Sequence, residues 1–590
     1  MAIAALLPMA RAVFYDANGN PLANGLVHSY VPGGTVPKVT WQDAAETIPN
    51  LNPVVLDSSG SCLLYGSGAY QLTVTEAMGN AVPGYSGLTQ SGPSGASDIT
   101  YSPPWTASVP RPVSGRLGDY MSSCDFGCVG DGVTDTTVQL QAAIDAAIAN
   151  QVPLFIQAGR YLITSALRIT RGCHIFGSFV ETQTSQFVNS TEPGGNGTWI
   201  VINNTGFSAF LLQPTDTPTI NNQVFGVEID HIAFIHNQAS PAPGWTPTVY
   251  PATIQWNAAE DVKIHHCHFH NSYIMFSPTL VAGAASNISG RFWISDNTGQ
   301  PLFRVAILDN AQDVFRFSNN HWWVYWSLDA NVLAWMKAHL VGYQMGRVDN
   351  PYFSNEFIIY ASMGVSVAAT ANGPTSLATF TACGFDQTGS MVTINDTVGQ
   401  HTLKFVGCYN VGYLGDNANG VNITGTGIDN FISLTACDIT GHDQCAVQIS
   451  GGANNHRIFI SNCRFVNWSG GATVPALAAS AGNFIRADSA CLYFSIFSTA
   501  IAGTTGQVIP NFPIKNLGQA TILAANTSVV FPHFMGAVPS MFSITPVTSL
   551  SAASFFWASA DGTNITINVN AAPTGGDVTF DVQAGVAVNS

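Results

Sequence analysis

Charged residues are scarce in this chain of 590 residues, where Asp, Glu, Lys and Arg together make up only 9%. Lys and Arg number 18 against 34 acidic residues, which gives a formal net charge of −16. Recognition of nucleic-acid phosphates needs concentrated positive charge, so this balance argues against a nucleic-acid partner. Long hydrophobic runs are also missing, and the sequence therefore predicts no membrane insertion. The opening MAIAALLPMARAVFY lacks a cationic start and an adequate apolar stretch, so we expect no signal peptide.

Cysteines in metal-ligand spacing are missing as well. The chain has 11 Cys, and the nearest approach to a zinc motif, Cys124 and Cys128 in CDFGC, has no second pair. We therefore expect buried free thiols, no metal, no other cofactor, and folding in a reducing cytoplasm. One histidine-rich strand leaves metal binding open as an alternative, although its side chains alternate between two faces and no carboxylate lies at a recognisable spacing: His265, His266, His268 and His270.

What the chain has in abundance is one recurring phrase: an apolar strand, a polar bend, a second alternating strand and then Cys. Copies read INDTVGQHTLKFVGC, ITGTGIDNFISLTAC and ISGGANNHRIFISNC. The cysteines of successive copies, Cys383, Cys408, Cys437 and Cys463, lie about two dozen residues apart. A unit of this length with period-2 alternation and no room for a long helix is typical of one coil of a β-solenoid. The pattern predicts an all-β chain whose thiols and aliphatic side chains line a parallel β-helix.

The segment 1–85 contains short apolar runs separated by turn signals, which indicates a small β domain. Its phrases YDANG, LANG and NPVVLDSSG resemble the particle-binding head domain of tailspikes from short-tailed bacteriophages. The resemblance implies attachment to the phage tail. Residues 86–117 are rich in Gly, Ser and Pro, which predicts a linker.

The segment 118–515 begins with GDGVTDTT, LQAAIDAA and PLFIQAGRYLI. These motifs resemble the entry to the pectate-lyase-like right-handed β-helix superfamily, in which a helix, here near 136–149, covers the open end of the solenoid. From 516 to 590 the repeat gives way to six short strands, which predict a C-terminal β-sandwich. In tailspikes such a domain assists trimerisation or contacts glycans, so the resemblance implies a homotrimer.

Three acids fall at the same point of successive coils, just after a strand: Asp309, Asp349 and Asp396. A β-helix builds a site from side chains on neighbouring coils, which stack about 4.8 Å apart. That spacing suits the paired carboxylates of a retaining glycosidase, whereas opposite walls of a groove suit an inverting one. We select Asp309 and Asp349 as catalytic. Turn formation is the alternative role for each, and four further acids stand in reserve: Asp296, Asp313, Asp329 and Asp386.

Between Asp309 and Asp349 lies the long excursion HWWVYWSLDANVLAWMKAHL. Aromatic faces stack on sugar C–H surfaces, so acids beside an aromatic ridge suit a glycan-cleaving cleft. Arg347 lies two residues before Asp349, on the same strand face, and pairing with it would favour the charged form of that acid. The predicted substrate-binding residues are Trp322, Trp323, Tyr325, Trp326, Trp335, Tyr343 and Arg347.

Glu356 is the third predicted catalytic residue, because in SNEFII it occupies the slot that Cys fills in TACGF and SNCRF. If the register holds, the side chain points inward, where a charged carboxylate is costly to bury. Either the strand bulges and exposes Glu356, or the side chain is protonated with a raised pKa, as a general acid requires. His321 and Tyr343 are the candidate bases for a lyase instead of a hydrolase.

These features resemble a bacteriophage tailspike, made in the host cytoplasm and carried on the virion. The resemblance implies that the protein binds and depolymerises a bacterial surface polysaccharide, capsule or O-antigen, as an endo-acting glycoside hydrolase during host adsorption. The alternatives are a receptor-binding spike without catalysis and a polysaccharide lyase on the same fold.

Overall fold

The computed structural model describes residues 5–85, 87–91, 100–180, 196–219, 221–279, 288–413, 415–450, 452, 454–466, 474–488, 490–494, 501–502, 508–510, 516–533, 538–539, 541–550 and 555–585. The chain divides into two compact units, Met1–Tyr120 and Met121–Ser590.

The first unit is built from antiparallel strands around its own small core, which includes Phe14, Val27 and Val74. Four strands form one sheet: Val54–Val55, Leu26–Tyr30, Ala69–Thr75 and Leu88–Ser91. Ala5–Val13 pairs with Ser61–Gly66. In the predicted linker, residues 92–99 lie outside the described part, and the described residues include a strand pair, Thr100–Tyr101 with Arg111–Pro112, and a helix, Val113–Leu117.

Three parallel sheets form the β-helix of the second unit, and the chain visits them in a fixed order on each coil. The first sheet contains Met121–Ser122, Leu154–Ile156, Cys173–Gly177, Val224–Asp230, Ala259–His265, Gly290–Ser295, Phe315–Ser318, Tyr352–Ser354, Ala378–Thr381, Thr402–Val406, Phe431–Thr435, Arg457–Ser461, Phe484–Ala487 and Val508–Pro510. The second contains Asp131–Asp135, Gly159–Ile163, Thr198–Ile202, Ala233–His236, His268–Phe269, Thr298–Gly299, His321–Trp322, Phe357–Ile359, Gly384–Asp386, Tyr409–Val411, Asp438–Thr440, Arg464–Val466 and Leu492–Phe494. The third contains Leu167–Ile169, Phe210–Leu212, Ala252–Trp256, Ile274–Pro278, Arg304–Leu308, Val341–Met345, Met363–Val367, Ser390–Ile394, Val421–Ile423, Val447–Ile449, Leu477–Ala479 and Ile501–Ala502.

Alternation within each strand explains why the coils stack. Along Thr402–Val406, for example, the second and fourth residues are buried and the others face outward. In-register pairing then places like side chains over one another, so that the rings of Phe317, Phe353, Phe380 and Phe405 form a stack with centroids 4.3–5.1 Å apart. The predicted solenoid is confirmed, and these stacks supply its core.

A helix, Thr137–Asn150, packs on the first coil, as predicted. The backbone N–H of Thr137 donates to the Asp135 carboxylate at 3.0 Å, which satisfies one of the free donors at the helix start. The buried face consists of Leu140, Ala143, Ile144 and Ala147, which join the core cluster of the solenoid. The helix thereby covers apolar side chains that the end of the solenoid would otherwise leave in water.

The corner between the first and second sheets repeats with the same geometry on many coils. A residue with φ between +51° and +62° is followed by one that points into the lumen. We call these lumenal residues the interior column: Cys267, Asn297, Asn320, Glu356, Cys383, Cys408, Cys437 and Cys463. All eleven cysteines are free thiols, and five of them stack in this column as expected, whereas Cys124 is exposed and Cys62 and Cys173 are only partly buried.

Two three-stranded antiparallel sheets follow the β-helix. One contains Asn516–Ile522, Val578–Gly585 and Met541–Pro546, and the other contains Ser528–Pro532, Asn564–Val569 and Phe556–Ala560. Side chains of both sheets, among them Ile522, Ile567 and Phe580, form one buried cluster. Among the described residues, the helices are all too short or too polar to cross a membrane. A third helix, Ala330–His339, lies between the second and third sheets of one coil.

Candidate functional site

Asp309 lies at the corner where the third sheet leads into the first, and its carboxylate is occupied by hydrogen bonds. Oδ1 accepts from the backbone N–H groups of Asn310 and Arg347, both at 2.9 Å, and from the hydroxyl of Thr370 at 2.7 Å. Oδ2 accepts from the side-chain amide of Asn372 at 2.9 Å. A carboxylate has about four acceptor positions. Asp309 therefore ties its own coil to the next two.

Asp349 and Arg347 lie on the next coil at the same corner, but not at the predicted equivalent point: Leu308 pairs with Met345, so Asp349 lies three residues further past its strand than Asp309. A guanidinium nitrogen of Arg347 is 3.2 Å from Oδ2 of Asp349, and both side chains are about one-third exposed. The structure thus brings Asp309, Arg347 and Asp349 together, because the backbone of Arg347 binds the first acid and its side chain binds the second. Their catalytic and binding roles remain predictions.

Asp396, the third acid of the aligned set, is nearly buried two coils further on. Its Oδ2 lies 2.6 Å from Nε2 of His401 and accepts from the backbone N–H of Ala369 at 2.9 Å. Burial opposes the charge, but these hydrogen bonds outweigh it and hold the pKa of Asp396 below its ordinary value. The pair is enclosed, with side-chain exposures of 5% for Asp396 and 0% for His401.

Glu356 points into the lumen, as its position in the cysteine slot predicts, and is 3% exposed. Oε1 accepts from the side-chain amide of Asn320 at 2.8 Å, and Oε2 accepts from the indole N–H of Trp322 at 3.3 Å and from the Tyr343 hydroxyl. Burial raises the pKa of Glu356 to about 7, although the hydrogen bonds from Tyr343, Asn320 and Trp322 oppose the shift. The carboxyl group is held in the core, away from any substrate on the surface.

The expected aromatic wall is different in the structure, because strand alternation sends much of it inward. Four of the predicted substrate-binding residues are buried: Trp322, Tyr325, Trp326 and Tyr343. Trp322 and Tyr343 lie beside Glu356, and Tyr343, one of the two bases considered for a lyase, is therefore inside the coil. Trp323 and Trp335 are half-buried, whereas His321, the other base, is exposed.

The aromatic excursion also lies at a different corner from the acids. It leaves the second sheet after Trp322 and enters the third sheet at Val341, whereas Asp309 and Asp349 follow the far ends of third-sheet strands. A five-residue strand spans about 17 Å. The two parts of the predicted cleft are therefore at opposite edges of the third sheet. The order of the residues in the sequence agrees with this arrangement, since the aromatic excursion comes before the strand Val341–Met345 and Asp349 comes after it.

A second group of aromatic side chains, missed from the sequence, does lie on the surface. We call it the outer ridge; it follows the outside of the second sheet and its edge toward the third, and consists of Trp323, Lys337, Phe357, Tyr360, Asp386, Tyr409 and Tyr413. Asp386 pairs in register with Ile359, and Tyr409 with Gly384. A usable signal existed: the residue directly after the cysteine slot begins a second-sheet strand, and at Phe357 and Tyr409 it faces outward.

Packing fixes the members of the outer ridge. Nζ of Lys337 lies 4.4 Å from the ring centroid of Tyr413 and 5.2 Å from that of Tyr360. Burial lowers the pKa of Lys337. The Tyr413 hydroxyl donates to the Lys337 carbonyl at 3.4 Å, which holds the end of helix Ala330–His339 on the coils. These contacts join the helix side of the ridge to the side chains on the coils.

Asp386 and Tyr409 form the polar centre of the outer ridge. Burial, followed by the negative charge of Asp386, raises the pKa of the Tyr409 hydroxyl. The ring lies over Gly384, where an added Cβ would come within 2.5 Å of the Tyr409 oxygen. A carboxylate among half-exposed aromatic rings supplies hydrogen-bond acceptors beside apolar faces, as sugar binding requires.

Comparison with known families gives one match, to the family described as rhamnogalacturonase A/epimerase, pectate lyase-like, over residues 120–323. The expected pectate-lyase-like β-helix is confirmed for this part of the chain. No curated protein sequence matches the chain.

Several solved structures resemble the fold at low identity. The A-module of mannuronan C-5 epimerase AlgE4 from Azotobacter vinelandii is 13% identical, with a TM-score of 0.46 over 66% of this chain and 100% of its own. A mutant tailspike of E. coli bacteriophage HK620, in complex with a hexasaccharide, is 11% identical, with a TM-score of 0.42 over 84% and 98%. The tailspike gp61 of Pseudomonas phage phi297 is 10% identical, with a TM-score of 0.39 over 80% and 100%.

Proposed function

We propose that the chain is a tailspike of a bacteriophage, which binds a bacterial surface polysaccharide, capsule or O-antigen, and cleaves it by glycoside hydrolysis. The observation that carries the binding part is the outer ridge, where half-exposed rings flank one carboxylate and one ammonium group. Apolar ring faces stack on sugar C–H groups, and charged groups at fixed positions select the hydroxyl pattern. Attachment to the virion rests on the tailspike-like phrases of residues 1–85.

Cleavage is assigned to the corner that holds Asp309 and Asp349, which is separated from the outer ridge by the width of the third sheet, about 17 Å. A substrate in contact with both must therefore be several sugar rings long. The two acids lie on adjacent coils, but Asp349 is three residues further along the corner, since Leu308 pairs with Met345 and Ala311 with Val348. Carboxylates about 5–5.5 Å apart suit a retaining glycosidase and a separation of about 6.5–9.5 Å suits an inverting one. Asp349, paired with Arg347, is the proposed nucleophile or base. The raised pKa of Glu356, about 7, would suit a general acid, but burial keeps this side chain from substrate. Asp309 is therefore proposed as the acid in its place.

A spike that binds the polysaccharide without cleaving it is the second candidate. The hydrogen bonds of Asp309 favour it, because four donors from three coils already occupy that carboxylate. The buried position of Glu356 favours it too. Binding would then be the whole function of the outer ridge.

Incubation of the purified chain with a panel of capsule and O-antigen polysaccharides separates the candidates. Release of new reducing ends indicates hydrolysis, ultraviolet-absorbing unsaturated ends indicate a lyase, and binding without either product indicates adhesion. Loss of a catalytic carboxylate in Asp349→Asn should lower the rate by about 10³-fold or more, with Asp309→Asn affected similarly.

Asp429→Asn is the matched control, since this exposed acid lies at the same corner of the solenoid, three coils beyond Asp349. Unchanged hydrolysis in both Asp309→Asn and Asp349→Asn would remove the acids from the mechanism, and Asp386→Asn would then test the outer ridge as the site of cleavage.

The tailspike proposal includes a homotrimer, since parallel solenoids can bury their flanks against one another. Light scattering coupled to size exclusion should give three times the mass of the 62.3 kDa chain. A monomer at micromolar concentration would count against a trimeric spike while leaving polysaccharide binding to be judged by its own assay.

A further inference from the structure

A cluster of histidines and carboxylates lies on the outside of the first sheet, well away from the residues proposed to bind sugar. Three neighbouring strands supply it: Cys173–Gly177, Val224–Asp230 and Ala259–His265. Their register places His174 beside Glu228, and Asp230 beside His265. Outward-facing side chains on adjacent coils are therefore brought together from positions 56 and 35 residues apart.

The ligand atoms converge closely. Nε2 of His174 lies 2.7 Å from Oδ2 of Asp230, and Nε2 of His265 lies 3.0 Å from Oε1 of Glu228 and 4.0 Å from Oδ2 of Asp230. One ligand atom each from His174, Glu228 and Asp230 can be chosen so that all lie within 4.8 Å of one another. A tetrahedral zinc ion with ligands at 2.0–2.2 Å holds them about 3.3–3.6 Å apart. Small rotations of these side chains would meet that geometry.

We propose that His174, Glu228, Asp230 and His265 bind a divalent transition cation of the zinc type. Imidazole nitrogens with carboxylate oxygens suit zinc and its neighbours, whereas calcium and magnesium prefer oxygen alone. The cation would place positive charge between the carboxylates of Glu228 and Asp230. Without it, these carboxylates are paired with the neighbouring histidines and, for Glu228, with Lys263. Metal binding requires the neutral form of each imidazole.

The surroundings already support such a site. Nδ1 of His231 lies 2.7 Å from Oδ1 of Asp230, so the oxygen facing away from the cluster is held by a second group. Partners of this kind orient metal ligands. His266 lies 2.9 Å from Nδ1 of His265 and stacks on His231 with ring centroids 5.0 Å apart. The side chain of His174 is 39% exposed, which leaves an entry path for the cation.

The histidine-rich strand alone did not reveal this arrangement. His268 begins the second-sheet strand His268–Phe269 and His270 follows it; both are buried, with Nε2 of the first 3.2 Å from Nδ1 of the second. His265 instead meets carboxylates contributed by the preceding coil. A bound cation would link three successive coils, and its role is to stabilise the solenoid near its covered end.

Calorimetric titration of the full chain with zinc, after removal of metal by a chelator, tests the proposal. We expect one strong site per chain and a rise in the unfolding temperature on zinc addition. Asp230→Asn and His174→Gln should each weaken zinc binding at least about tenfold. His339→Gln, an exposed histidine on a different face, should bind as the parent does.

Unfolding temperatures of the metal-free variants check that they fold. Crystals grown with zinc give a second measurement, because anomalous scattering should place the ion within bonding distance of His174 and Asp230. The proposal is overturned by absence of zinc binding, by equal affinity in Asp230→Asn, or by anomalous density confined to other residues. In each case the cluster is an ion-pair network only.

Discussion

On the second-sheet strands, the inner side chains are constrained by packing in the core, whereas the outer side chains are not. Trp322 and Ile358 point inward, pair in register and are almost completely buried. Outside, His321, Phe357 and Tyr409 occupy one continuous column of the sheet and keep much of their surface in water. Folding selects the inner residues, whereas outward residues are free to serve recognition. Substitutions inside should therefore change stability, and substitutions outside should change binding.

The largest expected effect is inside. Glu356→Ala removes the acceptor for Asn320, Trp322 and Tyr343 and leaves a cavity, so the free energy of unfolding should fall by roughly 3–5 kcal/mol. Cys408→Ala, in the same interior column, removes a small group and should lower it by roughly 1–2 kcal/mol. Urea unfolding followed by tryptophan fluorescence compares the two. Equal losses of unfolding free energy would mean that the hydrogen bonds of the Glu356 carboxyl group add nothing to the stability that its packing provides.

The pH dependence of stability sharpens the same contrast. The pKa of Glu356 is raised from 4.5 to about 7 in the folded chain, so between these values the folded state holds a proton that the unfolded state releases. Its contribution is present below pH 4.5 and falls by about 1.4 kcal/mol per pH unit until pH 7. Glu356→Gln should lack this slope in unfolding experiments from pH 4.5 to 8. Parallel curves for the two proteins would show that the carboxyl group does not titrate there.

On the outer ridge, Trp323→Ala and Tyr409→Ala should each weaken polysaccharide binding about tenfold, equivalent to about 1.4 kcal/mol. Their unfolding free energies should fall less than that of Glu356→Ala, because these rings are only partly buried. Interferometry with immobilised polysaccharide measures the affinity. Tyr352→Ala, a 49% exposed ring on the first sheet, is the control and should bind normally. A larger loss of affinity in Tyr352→Ala than in the ridge variants would show that the polysaccharide binds at the first sheet and not at the outer ridge.

The smallest effect is expected at a surface ion pair beside the ridge. Asp438 pairs in register with Tyr409 and lies 2.5 Å from Arg464, with both charged groups substantially exposed. Exposed pairs contribute at most about 1 kcal/mol, so Asp438→Asn should change the unfolding free energy by less than that. A loss of several kcal/mol in the same urea titration would contradict the view that this face contributes little to folding.

Much of the interior could be predicted from the sequence because each coil repeats the same physical constraint. The spacing of Cys383, Cys408, Cys437 and Cys463 predicted the solenoid. The alignment of Glu356 with these cysteines correctly predicted that its side chain points inward. The predicted pKa shift of a buried acid also follows from that position. The tailspike head and the domain boundaries remain predictions.

The outside could not be assembled in the same way. Corners differ in length, so the sequence did not reveal that the aromatic excursion and Asp349 lie at opposite edges of the third sheet. Alternation alone could have shown that Trp322 points inward between outward His321 and Trp323. Contacts between coils, such as Lys337 against Tyr413, depend on how a helix folds back over the solenoid and carry no local signal.

A crystal structure of the chain with an oligosaccharide cut from its polysaccharide tests the central claim most directly. The account predicts sugar rings against Trp323, Tyr409 and Tyr413, with a polar contact to Asp386. Sugar bound instead on another face, with the outer ridge in water, would contradict it.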